Sequence, residues 1–143
     1  MSHQLAANRP TAVMSFDQML ETVRYEGAYP TRERAEQVVR AVLAALGRQL
    51  TGEERVALAA HLPEEAARVF ASEIPGESLT GWGFVKDLAS RTGGTPATAR
   101  WDTGTVFAVV SRIVGPDLVT RIIGVLPSGY ALLFGRAELA PAA

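Results

Sequence analysis

Residues 59–71 read AAHLPEEAARVFA, and residues 123–135 read IGVLPSGYALLFG. Both stretches hold a Leu-Pro step, a polar pair and an apolar run that ends in Phe. Proline disfavours helical geometry at the residue before it, yet it fits the first turn of a helix that follows. Each step therefore marks a sharp corner between two helices, with its Leu pinned at that corner. Laying residues 38–71 over 102–135 without a gap pairs Val42 with Val106, Leu43 with Phe107, Leu46 with Val110, Leu58 with Ile122 and Phe70 with Phe134. Upstream, with a shift of one residue, Ser15, Met19, Leu20 and Val23 fall on Thr80, Phe84, Val85 and Leu88. An internal repeat of this length, present only twice, points to a pair of small bundles and not to a short-period array.

Apolar residues recur at helical spacing in each copy, and helix start signals stand where the helices should begin. Ser15 with Gln18 and Thr51 with Glu54 have capping-box spacing, in which the side chains satisfy open backbone N–H groups at a helix start. Thr31 precedes a helix whose apolar stripe is Val38, Val39, Val42, Leu43, Leu46 and Leu50. Pro63 is placed as the first residue of a fourth helix, with Glu64 and Glu65 complementing its positive end. The second copy repeats these signals at Thr80, Thr95-Pro96, Gly115-Pro116-Asp117 and Leu126-Pro127. The expected fold is all-α: one globular domain of about eight helices, built from two tandem four-helix repeats around a shared core. Repeat one spans 14–72, a linker 73–79 and repeat two 80–136, with flexible tails at 1–13 and 137–143. A single copy would be marginal alone, because short chains bury too little of their surface.

The copies differ in glycine. Ten of the thirteen glycines lie in residues 76–143, including Gly104 and Gly124 inside helical patterns. Each costs about 1 kcal/mol relative to Ala there. Two explanations stand side by side: a weaker, drifted copy, or glycines that permit close helix contact or mobility at a binding site.

The segment FDQMLETV at 16–23, followed by RERAEQVVRAVLAALGRQLTGEERVALAAHLPEEAARVF at 32–70, resembles the bacterial family catalogued as domain of unknown function 2267. The resemblance covers roughly residues 14–135 and is closer in the first copy. It implies an all-helical fold and assigns no activity, substrate or site residue.

Several functional classes are disfavoured by composition. With 143 residues, no cysteine and a formal net charge of -1, the chain has no disulfide, thiolate ligand or Cys nucleophile. Residues 1–75 carry 8 positive and 10 negative side chains and residues 76–143 carry 6 and 5, so neither half offers the basic surface that nucleic-acid binding needs. No apolar run reaches the roughly 20 residues of a membrane span. MSHQLAANRPTAV lacks the layout of a secretory signal, and a cytoplasmic location is expected.

No catalytic residue, cofactor site or metal site is expected. His3 falls in the amino-terminal tail, and His61 with Glu64 and Glu65 is interrupted by Pro63, which favours a surface or capping role for that histidine. Glu33, Glu36, Glu53, Glu54, Glu64 and Glu65 gather at helix starts, where the macrodipole accounts for them. Arg32, Arg34 and Arg40 read as a solvated helix face. The tryptophans are more informative. Trp101 falls nearly opposite the Val106, Val110, Ile113 stripe and aligns with Gln37, while Trp82 aligns with Asp17. Large aromatics off the core stripe are candidate anchors for a protein partner or a second copy, because Trp is enriched at interface hot spots. The plainer reading is that both rings are buried between helices. The expected function is a non-catalytic protein-interaction or self-association module. The alternative is a carrier or sensor of small apolar ligands, with a pocket between the repeats bordered by Phe107, Tyr130 and Phe134.

Overall fold

In the computed structural model, residues 14–137 are described, so the expected tail at 1–13, His3 and residues 138–143 lie outside them. Among the described residues eight helices follow one another: α1 (Phe16–Glu26), α2 (Arg32–Gly47), α3 (Gly52–His61), α4 (Glu64–Ala71), α5 (Gly81–Thr92), α6 (Pro96–Val114), α7 (Pro116–Val125) and α8 (Tyr130–Leu133). No strand occurs among the described residues.

The starts of these helices show why the chain turns where it does. Ser15 and Gln18 form the reciprocal capping box of α1, with bonds of 2.9 and 3.1 Å. The Thr31 hydroxyl accepts from Arg34 N at 3.0 Å, and Thr80 accepts from Gly83 N at 3.1 Å. Thr95 and Thr98 form a second capping box, with Pro96 as the first residue of α6. Such bonds satisfy backbone donors that have no partner inside the helix.

Two start signals behave differently. Thr51 makes no side-chain cap bond, and Glu54 lies 3.8 Å from the Arg121 guanidinium in place of closing a box. Pro63 is the cap before α4 and not its first residue.

The long helices α2 and α6 pack on each other at the centre. Within the first half α2 carries α1 and α4, and within the second half α6 carries α5, α7 and α8. Between the halves α1 packs on α6, α2 on α5 and α3 on α7. One hydrophobic core results, in which Leu43, Leu46, Leu58 and Phe70 meet Phe84, Phe107, Val110 and Ile122. Each fully buried side chain of this size contributes about 1.5–3 kcal/mol of transfer free energy.

The corners differ too. Leu62 is buried, at 5 % exposure, whereas Leu126 is half-buried and packs only against the margin of the core. The Leu pinned at the second corner is therefore less buried than the one at the first. After Leu126 the chain makes a turn through Gly129 (φ 100°) and α8 has only 4 residues, so a short corner replaces the full fourth helix of the first half.

Arg55 on α3 accounts for part of that difference. Its guanidinium donates to Gly47 O at 2.5 Å, Leu50 O at 2.8 Å and Glu73 O at 2.6 Å, with a longer bond of 3.4 Å to Ala71 O. It lies 5.0 Å from the centre of the Phe70 ring. One side chain thereby ties the carboxyl ends of α2 and α4, where carbonyl groups lack helical partners. The second half has Val119 at the aligned position, buried at 1 % exposure, and a valine side chain has no donor for such a tie.

Candidate functional site

The feature that most sets this surface apart is the junction of α1, α2 and α6. The chain leaves α1 through Gly27, Ala28 and Tyr29, and Ala28 adopts φ 56°. Gly27 N bonds Val23 O at 2.8 Å and Tyr29 N bonds Arg24 O at 2.9 Å, which closes the end of α1. The Tyr29 ring folds back over Gly27, where an added Cβ would sit 2.1 Å from Tyr29 Cε2. Only glycine fits beneath it. This fold leaves Gly27 O facing α6, where Trp101 Nε1 donates to it at 3.0 Å. The next residue of α6, Asp102, accepts from Tyr29 Oη at 2.5 Å. Arg112 of α6 and Glu26 of α1 close the same junction with a 2.6 Å ion pair.

Burial, and then the Asp102 carboxylate, push the Tyr29 phenol well above its usual range, while Thr105 and Arg34 act weakly in the opposite sense. The phenol stays protonated and serves as a donor.

Trp101 is thus held by its nitrogen while its ring stays 56 % exposed, off the core stripe. Trp82 is 59 % exposed at the start of α5, with Lys86 Nζ 5.7 Å from its ring centre. The plainer reading, burial of both rings between helices, does not describe either. Beside Trp101 lies an open depression of about 310 Å3, lined by Glu26, Arg100, Gly104, Thr105 and Ala108. Gly104 sits there on the outer face of α6, where an added Cβ would meet only the mobile end of Arg100, at 2.8 Å from Nη1. Gly124 has nothing within 4 Å of such a Cβ.

Phe107, Tyr130 and Phe134 do come together, as packed core. Phe107 and Phe134 stack with centres 4.2 Å apart, and Phe84 lies 5.7 Å from both Phe107 and Tyr130. All three proposed pocket residues are buried, and Tyr130 Oη donates to Leu79 O at 2.9 Å. A ligand at that place would require these rings to part.

Several of the charged residues weighed in the sequence are held by neighbours on the surface. His61 Nδ1 lies 2.8 Å from Ala57 O, one turn back in α3. Glu64 and Glu65 bond to Arg68, and Glu65 also receives Arg40 Nη2 at 3.0 Å, which holds its carboxyl below the ordinary range. Arg40 bridges Glu36 and Glu65, and Arg32 pairs with Asp17. Among the described residues no three of His, Cys, Asp and Glu gather in a group that could hold a metal ion, and no helix is long and apolar enough to cross a membrane.

The sequence offered no sign of the Tyr29–Asp102 bond, because its partners lie 73 positions apart. The fragment GAYP at 27–30 marks a turn but not what the turn touches. A search among curated proteins finds no match. The model of the family described as "Uncharacterized conserved protein (DUF2267)" matches residues 16–133, nearly all of the helical region set out above, and the chain belongs to that family.

Proposed function

We propose that this protein is a non-catalytic helical module that docks another protein chain through the outer face of α6, with Trp101 as its anchor. The observation that carries the reading is the fixed but open Trp101 ring beside the depression at Gly104 and Ala108. A large ring already held in place loses little freedom when a partner covers it, and small neighbours leave room for an inserted side chain. Arg100 at the rim supplies a positive charge for orientation, while Glu26 beside it is paired with Arg112. A second copy of this chain is the other occupant compatible with the reading.

A photo-crosslinking amino acid at Ala108, in cells, tests it against the same group at Ser90 on α5. Both positions are exposed. A discrete adduct at Ala108 alone, abolished by Gly104→Glu, is expected. An adduct of twice the chain mass assigns the face to self-association. Equal labelling at both positions, or none at Ala108, overturns the docking reading.

A further inference from the structure

A separate cleft lies between α2, α5 and α6, with a volume of about 210 Å3. Its floor is apolar: Val38 and Val42 come from α2 and Leu88 from α5. All three are core residues at 3 % exposure or less. Its walls carry Arg34 and Gln37 from α2, Thr92 from α5 and Asp102 from α6. Arg34 and Asp102 form no ion pair with each other, and neither is ion-paired elsewhere among the described residues. Among the described residues the guanidinium of Arg34 bonds to Gln37 Oε1 at 3.1 Å. Asp102 is oriented from outside the cleft, by Tyr29 Oη on Oδ1. Arg34 and Asp102 both line this one cleft.

An apolar floor below one unpaired cation and one unpaired anion matches a small molecule that bears both charges on an apolar body. A cleft of about 210 Å3 suits a single small metabolite. We propose that this cleft binds an α-amino acid with an aliphatic side chain. The carboxylate meets Arg34, the ammonium meets Asp102, and the side chain lies over Val38, Val42 and Leu88. Such a site rests on helices and not on loops, and Tyr29 fixes the carboxylate before a ligand arrives. The inference stands apart from the docking reading: it uses other side chains and needs no partner.

The test is calorimetric titration of the full chain with L-leucine, with 4-methylpentanoate (the same body without the ammonium) and with isoamylamine (without the carboxylate). Saturable binding of L-leucine is expected, with each single-charge analogue at least ten-fold weaker. Amide NMR shifts should cluster at Val38, Val42 and Leu88. Arg34→Gln, at an exposed position, should weaken L-leucine at least ten-fold, and Asp102→Asn should do the same. If Asp102→Asn perturbs the fold through Tyr29, Arg34→Gln decides alone. No saturable binding of L-leucine overturns the proposal. So does equal binding of an analogue, or binding that Arg34→Gln leaves unchanged.

Discussion

Thr103 shows how one atom can depart from an otherwise consistent core. It is fully buried on α6, its Oγ1 has no hydrogen-bond partner among the described residues, and it aligns with Val39, which is equally buried on α2. A buried hydroxyl without a partner costs its desolvation, so Thr103→Val, of nearly the same shape, should stabilise the protein by about 1 kcal/mol in urea unfolding. Destabilisation would mean that the hydroxyl is satisfied in solution. Glycines divide in the same local way. An added Cβ at Gly81 would lie 2.6 Å from the backbone of Gly129, which cannot yield as a side chain would, whereas Gly124 is open. Gly81→Ala should cost about 1–3 kcal/mol. Gly124→Ala should gain about 0.5–1 kcal/mol, because it restricts the unfolded chain at no steric cost. Melting shifts of opposite sign check the pair. Composition shows that the second half is glycine-rich, but the need for a given glycine depends on what stands opposite it, and Gly129 lies far along the chain from Gly81.

At the scale of elements, helix starts were the most legible feature, because a cap bond joins residues three apart and spacing alone reveals it. Ser15, Thr31, Thr80 and Thr95 cap as their spacing implies. Thr51 does not: Gly52 follows it at φ 73° and Glu54 faces Arg121, a tertiary neighbour that no local pattern encodes. The helix ends were less legible. Arg55 looks like one of many arginines in the sequence, yet it binds carbonyl groups at the ends of two other helices. Arg55→Met should destabilise by about 2–4 kcal/mol, since several carbonyls lose a charged donor at once. Arg91→Met, which breaks only an exposed pair with Asp87, should change stability by less than about 1 kcal/mol. Equal effects in chemical unfolding would remove Arg55 from its tying role.

Over the whole molecule, the two halves meet through the central α2–α6 packing and through the junction where Trp101, Tyr29 and Asp102 join α1 to α6. The all-helical class was legible from periodicity. The clasp between the halves was not, because it is made by a loop backbone and side chains that flank the apolar stripes. Tyr29 gives this clasp a pH signature. Its phenol ionises at higher pH in the folded chain than in the unfolded chain. The stabilisation is therefore complete below the unfolded value of about 10 and is lost as pH rises beyond it. The melting temperature should fall above that pH, and Tyr29→Phe should flatten the part of the fall that Tyr29 causes. An unchanged slope would show that Tyr29 titrates alike in both states. The central claim is that the halves share one core and unfold together. Both tryptophans lie in the second half, whereas far-ultraviolet circular dichroism reports helices in both. Urea unfolding followed by the two signals on one sample tests the claim most directly: superimposable transitions are predicted, and a helical signal that persists after the tryptophan transition is complete would contradict it.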